Sequence, residues 1–302
     1  MKTAPILLFT YKRYESLQDT VKALQNNALA AESDLYIFSD GCKKDADTEQ
    51  VTKVRDYIKT ITGFKSIKIT EQEQNKGLAN SIIDGVSSVF KFSEKVIVLE
   101  DDLYTTPNFL TFMNSALDNY SDDRKVFSIS GYSFNFKKSK VDPEDAYFVK
   151  RGWSWGWATW KDRWDDVDWQ VKDYNSFKND KKQQREFAKG GTDLNIMLHR
   201  QVNGLIDSWA IRWFYHQYKV GGLTLYPVYS KVRNNGFDEY ATHTKGGAYR
   251  FAPSLDEELL TAFKFPSAIE PNKFYQKQFQ QKMGIIERVK YRLNSIIRKI
   301  IK

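Results

Sequence analysis

The sequence predicts an α/β protein built on a doubly wound, mostly parallel sheet. Three observations carry that prediction. Short apolar runs alternate with segments of helical spacing over the first 120 residues, which is the pattern of successive βα units. The helical segments are roughly 10–15 residues long, the length of a crossover between parallel strands. Finally, Val96-Ile-Val-Leu99 is a run of four branched apolar residues that suits a strand buried on both faces, and it stops abruptly in Glu100-Asp101-Asp102.

Taken in order, Ile6–Phe9 reads as the first strand and Glu15–Gln25 as a helix. Asp34–Phe38 is the second strand and runs into Ser39-Asp40-Gly41. A helix over Glu49–Thr60, a strand over Ser66–Thr70 and a helix over Leu78–Phe90 follow. Val96–Leu99 is the next strand and Asn108–Tyr120 the next helix. Right-handed crossovers place all strand carboxyl ends on one edge of such a sheet. Tyr11-Lys12-Arg13, Ser39-Asp40-Gly41 and Glu100-Asp101-Asp102 therefore converge on one crevice, the position of nucleotide sites in open α/β sheets. Three adjacent acids repel one another unless a cation sits among them. Mg²⁺ or Mn²⁺ wants such oxygen ligands and shares them with phosphates. The competing interpretation of each acid alone is a solvated turn after a strand.

Beyond residue 126 the pattern changes. Val126–Ser130 fits one more strand. Arg151-Gly-Trp-Ser-Trp-Gly-Trp-Ala-Thr-Trp160 interleaves indoles with small residues. Trp153, Trp155 and Trp157, with Trp209 further on, are candidates for stacking on sugar rings; a Trp-rich core hairpin is the alternative. Residues 171–190 are polar and read as a solvated helix or loop. Ile206–Tyr218 is a helix, and Gly221-Gly222 turns into Leu223–Tyr226. These divisions predict a body over residues 1–265, with a first half (1–125) that carries the nucleotide crevice and a second half (126–265), and a tail over 266–302.

Composition narrows the function classes. Hydrophobic residues make up 41% of the 302 positions, enough for a packed core. The single cysteine, Cys42, excludes an intramolecular disulfide framework and fits a reducing compartment. The opening Met-Lys-Thr-Ala-Pro-Ile-Leu-Leu-Phe-Thr is too short an apolar run for a signal peptide, and no run approaches the ~20 apolar residues of a membrane span. The formal charge is +8, but from Pro266 onward nine basic residues face two acids, a surplus of +7. The body is nearly neutral, which argues against a nucleic-acid partner. Gly284–Lys302 places Ile285, Ile286, Val289, Leu293, Ile296, Ile297, Ile300 and Ile301 on one helical face, with basic residues around it. Such a helix suits an anionic membrane surface; docking on the body or on a second copy of the chain, a homodimer, is the alternative.

At these residues the chain resembles the GT-A superfamily of nucleotide-sugar glycosyltransferases. Over residues 4–105 it is similar to family-2-type bacterial enzymes, through Phe9-Thr-Tyr-Lys-Arg-Tyr-Glu-Ser-Leu17, Phe38-Ser-Asp-Gly-Cys42 and Asn75-Lys-Gly-Leu-Ala-Asn80. A longer resemblance, to roughly residue 245, runs to the N-acetylglucosaminyltransferase that starts complex N-glycans. It includes Val-Leu-Glu-Asp-Asp-Leu103 with Pro107-Asn108-Phe109, the Gly-Trp-rich segment and Asp207-Ser-Trp209. The resemblance implies a GT-A fold and assigns roles. Arg13 and Asp40 hold the nucleotide base. Asn75 and Lys76 approach the donor diphosphate and ribose. Glu100 and Asp101 face the donor, and Asp102 is the metal ligand. Asp207 is the general base of an inverting transfer, and His243 is a weak candidate for a phosphate or metal contact. The chain departs from the eukaryotic relative in carrying Ser208 where that enzyme has a second acid. Asp207 also reads as a helix N-cap.

The expectation is thus a Mn²⁺- or Mg²⁺-dependent inverting transferase using a nucleotide sugar, with UDP as the carrier. The acceptor is a glycan or lipid-linked glycan of bacterial surface polysaccharide synthesis. The tail would hold the enzyme on the cytoplasmic face of the cell membrane. Two rivals remain: a nucleotidyltransferase, against which the loop Thr10-Tyr-Lys-Arg-Tyr-Glu15 lacks glycine, and a non-catalytic carbohydrate-binding module.

Overall fold

All five residues of Ile6–Thr10 (β1) are buried, as befits a strand covered by helices on both faces. In the computed structural model, which describes residues 2–141, 143–236 and 251–290, β1 is followed by Tyr14–Gln25 (α1), Asp34–Ser39 (β2), Thr48–Ile58 (α2), Ser66–Glu71 (β3), Gly77–Val89 (α3) and Lys95–Glu100 (β4). Leu103–Thr105 (β5), Phe109–Asn119 (α4), Val126–Ser130 (β6), Ala146–Val149 (β7) and Trp157–Trp160 (β8) come next. Lys161–Asp165 (α5), Tyr174–Phe177 (α6), Lys181–Phe187 (α7), Leu194–Val202 (α8) and Trp209–Lys219 (α9) lead to Leu223–Pro227 (β9), Val232–Asn234 (β10) and Lys273–Lys282 (α10).

The main sheet has the order β3-β2-β1-β4-β8-β6-β9-β7. Strands β3, β2, β1 and β4 are parallel, as the alternation of strand and helix requires. Beyond β4 the sheet is mixed: β8 runs antiparallel to β4 and β6, β9 parallel to β6, and β7 antiparallel to β9. Among the described residues four of the seven pairings are therefore parallel, and one sheet passes through both halves of the body. A separate ribbon pairs β5 with β10, setting Asn234 against Leu103.

Strand periodicity sorts the core. Ile6 and Leu8 point to one face with Ile37, Ile97 and Leu99, beneath Leu17, Val21 and Leu24 of α1 and Leu110, Met113 and Leu117 of α4. Leu7 and Phe9 point to the other with Phe38, Val96 and Val98, beneath Ala79, Ile82 and Val86 of α3. Each such branched or aromatic side chain contributes roughly 1.5–3 kcal/mol by leaving water. The polar stretch 171–190 forms the short helices α6 and α7. Asp180 caps α7 by accepting from the Lys182 and Gln183 N–H groups.

The Trp-rich segment is interior. Trp157 and Trp209 are almost wholly buried, with ring centroids 4.9 Å apart, and Trp164 and Trp213 pack in the same cluster. Trp153 is covered by the stacked ring of Tyr132, 5.1 Å away. These three indoles present no free face to a sugar, which corrects the stacking expectation for them: β8 is buried along its whole length, the apolar face of α9 turns Trp209 inward, and Tyr132 covers Trp153. Trp155 stays half-buried.

The expected tail begins inside the body. In α10 Tyr275 stacks on Tyr147 at 3.9 Å between centroids, and Phe279 is fully buried. Residues 285–290 are helical, with Ile285 and Ile286 exposed. The rest of the expected amphipathic helix, residues 291–302, lies outside the described residues. Among the described residues no helix is long and apolar enough to cross a membrane.

Candidate functional site

The carboxyl ends of β1, β2 and β4 are stitched into one frame. The Asp40 N–H donates to the Thr10 carbonyl at 3.0 Å, and Thr10 Oγ1 donates to Asp101 Oδ2 at 2.9 Å. The Tyr11 N–H donates to the same oxygen at 3.1 Å. Asp101 is thus turned back against the β1–α1 connection. That connection is fixed again at its other side: Tyr11 Oη and Lys12 Nζ both donate to Asp47, each at 2.8 Å. Burial, and more weakly the Asp47 carboxylate, push the Tyr11 phenol up to about 12, although the Lys43 N–H opposes this.

Asp40 sits at the end of β2 and is buried. Its Oδ1 accepts from the N–H groups of Gly41 and Lys76, both at 2.9 Å. Its Oδ2 accepts from the Asn75 side-chain amide and the Gly77 N–H, both at 3.0 Å. Four donors on one carboxylate make Asp40 the brace of the loop that opens α3, a role the sequence did not suggest. Arg55 of α2 braces the neighbouring strand ends, donating to the Gln72 carbonyl at 2.6 Å. Asn75 is held inward by Asp40 and by the Gly41 carbonyl at 2.8 Å. The Lys76 ammonium lies at the surface against Asp84.

Gly77 has φ +76°, a left-handed conformation that glycine adopts without strain, and it carries the loop toward Asp207. A Cβ on Gly77 would stand 3.3 Å from Asp207 Oδ2. The fold thus brings Asp207 to the Asn75–Gly77 loop across 130 residues of chain. Asp207 is 60% exposed, with the Arg212 guanidinium 4.0 Å away. It is not the N-cap of α9: Ser208 Oγ takes that place, accepting from the Ile211 N–H at 3.4 Å.

The acid triplet follows directly on β4. Burial, then the charges of Asp102 and Asp101, push Glu100 up to about 8, against the pull of Arg13. Burial and Asp102 likewise raise Asp101 to about 6, against Arg13, Thr10 and the Tyr11 N–H. Asp102 Oδ2 meets Arg13 Nη1 at 2.6 Å, both side chains largely buried. Asp102 Oδ1 faces the Asn234 amide at 3.4 Å, and the Asn235 N–H donates to the Asp102 carbonyl at 2.8 Å. Asn234, Asn235, Asp47 and Arg55 were missed at the sequence level. The partner of both asparagines, Asp102, lies more than 130 residues earlier in the chain, and nothing in the local pattern of Arg233-Asn-Asn-Gly236 points to it. His243 lies outside the described residues.

The donor set suits a hard divalent cation that also binds phosphate. Arg13 pairs with Asp102, and burial and mutual repulsion disfavour the charged forms of Glu100 and Asp101, a penalty that a cation among the three acids would relieve. Among the described residues no three His, Cys, Asp or Glu side chains form a metal cage by themselves. Mg²⁺-type sites are of that kind: one or two carboxylates, completed by substrate phosphates and water.

Residues 1–191 match the GNT-I family. The structure is similar to that of S. aureus TarS over 55% of this chain and 30% of that one, with a TM-score of 0.39 and 14% identity. It is also similar to the mannosyltransferase PcManGT from Pyrobaculum calidifontis, solved in complex with GDP-Man and Mn²⁺, over 46% of this chain and 36% of that one, with a TM-score of 0.32 and 12% identity. The matched region spans about a third of each of those proteins. No curated protein matches the chain.

Proposed function

The chain belongs to the GNT-I family, and we propose that it is a metal-dependent, inverting glycosyltransferase. It transfers a sugar from a nucleoside-diphosphate sugar, with UDP as the carrier, to a glycan or lipid-linked glycan. One observation carries the proposal: Glu100, Asp101 and Asp102 close β4 in the same hydrogen-bonded frame that holds the Asn75–Gly77 loop and, beside it, Asp207. A rim of acids for a cation, a loop for the diphosphate and an exposed carboxylate for a proton are the parts such a transfer needs.

Asp102 holds Mn²⁺ or Mg²⁺, with Glu100 and Asp101 orienting the donor. When bound, the ion neutralises charge that develops on the departing diphosphate. Arg13 and Asp40 hold the nucleotide base, Asn75 and Lys76 approach the diphosphate and ribose, and the charges of Arg13 and Lys76 add to the ion's on that side. Asp207, open to solvent, takes the proton of the acceptor hydroxyl; such a base is typically worth ~10²–10⁴ in rate, or roughly 3–5 kcal/mol of barrier. Of the four tryptophans considered for sugar stacking, Trp155 is the one that stays half-buried, and it is kept as the stacking residue. His243 is kept as a further contact to phosphate or metal.

The tail is assigned to an anionic membrane surface on the cytoplasmic side. Ile285, Ile286 and Val289 are exposed beside Arg288 and Lys290, and the basic surplus of the chain lies in this region. There the enzyme would meet a lipid-linked acceptor. The test is incubation of the purified protein with Mn²⁺ and a panel of UDP- and GDP-sugars, reading released nucleotide and, with an acceptor, the anomeric configuration of the product. Release of nucleoside diphosphate that EDTA stops, and an inverted product, are expected. Pyrophosphate release would replace the reading by a nucleotidyltransferase, and EDTA-insensitive turnover would remove the metal from it.

A further inference from the structure

The Asp102 carboxylate is already in use. Its Oδ2 is paired with Arg13 at 2.6 Å, and its Oδ1 faces the Asn234 amide at 3.4 Å. The backbone at Gly236 closes on the pair: a Cβ there would stand 2.0 Å from Asp102 Oδ2 and 2.9 Å from Arg13 Nη1. Both side chains are largely withdrawn from water, with 14% of Arg13 and 11% of Asp102 exposed. A cation approaching Oδ2 has to displace a guanidinium that is itself buried and charge-paired. What draws a guanidinium from a single carboxylate oxygen is a better anion, and a diphosphate offers two-pronged, charge-assisted hydrogen bonds.

Resting on the proposed function, we infer that Arg13 is an internal counter-ion that occupies the Asp102 carboxylate until a nucleoside diphosphate draws it off, so that metal and nucleotide bind together and the metal alone binds weakly. A site that admits its metal only with the nucleotide avoids filling with free cation. Asn234 is the positioning residue of this switch, because its amide steadies the Asp102 oxygen that Arg13 leaves alone.

The test is Mn²⁺ binding followed by electron paramagnetic resonance, without nucleotide and with UDP or GDP, in the wild type, Arg13→Gln, Arg13→Lys and Asp102→Asn. In the wild type, Mn²⁺ alone is expected to bind weakly and nucleotide to tighten it. Arg13→Gln removes the competitor, so Mn²⁺ alone binds on the order of tenfold tighter, the fraction of the competent state having risen by that factor. Arg13→Lys keeps a charge and falls between the two. Thermal melting guards against misfolding: Arg13→Gln takes the guanidinium away from Asp102, melts below the wild type, and recovers with Mn²⁺ by more than the wild type gains. Unchanged or weaker binding of Mn²⁺ alone in Arg13→Gln overturns the counter-ion role while leaving the transferase reading intact. Wild-type protein that binds no Mn²⁺ even with UDP or GDP, like Asp102→Asn, overturns the metal site itself.

Discussion

Replacing Asp40 by Asn tests the frame on which the whole site hangs. The Asp40 carboxylate accepts four N–H groups, two on each oxygen. A carboxamide keeps one acceptor oxygen. Whichever way it is turned, its NH₂ then faces two donors, either Gly41 N and Lys76 N or Asn75 Nδ2 and Gly77 N. Each buried donor left without an acceptor costs about 1–3 kcal/mol. Asp40 is 7% exposed, while most of the loop donors are only partly buried and recover some of that from water, so about 2–4 kcal/mol is expected for the pair. The assay is urea unfolding followed by circular dichroism, with the slope checked for constancy so that the midpoint reports stability. Hydrogen exchange localises the effect: the Lys76 and Gly77 amides should lose protection before those of the β1 strand. A loss below about 1 kcal/mol, or unchanged protection at Lys76 and Gly77, would refute the bracing role.

Other consequences follow from the same geometry. Asp102→Ala should abolish metal-dependent nucleotide binding and transfer, and calorimetry with undiminished Mn²⁺–UDP affinity would remove Asp102 from the metal site. Asp207→Asn should preserve donor affinity and lose turnover by ~10²–10⁴; near-normal rates would exclude it as the base. Burial raises the Asp193 carboxyl, but the charge and hydrogen bonds of Arg151 outweigh it and hold the group below the usual carboxylate range. Its contribution is therefore complete above about pH 4 and is lost as pH falls through the lower folded value. Asp193→Asn, which leaves Arg151 unpaired, should cost about 3–5 kcal/mol at neutral pH and flatten the acid limb of the urea midpoint; an acid limb identical to that of the wild type contradicts this. Truncation after Met283 should abolish flotation with anionic liposomes, a result overturned if full-length protein does not float either.

Local burial leaves a local record, and that part of the fold is written in the chain. The alternation of Ile6, Leu7, Leu8 and Phe9 between two helix-covered faces makes an apolar run legible as a strand. The helical spacing of Leu17, Val21 and Leu24 does the same for α1. The strand lengths, the parallel half of the sheet and the gathering of Arg13, Asp40 and the acid triplet at one edge follow from such patterns and from the handedness of crossovers. Strands β5, β7, β8 and β10 were illegible because they have three or four residues and take their identity from partners elsewhere.

Tertiary structure decided the rest, because contacts between distant segments leave no periodic trace. An indole reads the same in sequence whether its ring is clasped by Tyr132, buried against Trp213 or left half-open. Nothing in Ser39-Asp40-Gly41 tells that the loop from Asn75 to Gly77 lies across the Asp40 carboxylate. Arg13 lies 89 residues from Asp102, and Asn234 lies 132 from it. The charge on each side chain is a property of the chain; which charge meets which, and hence what a cation must displace, is a property of the fold.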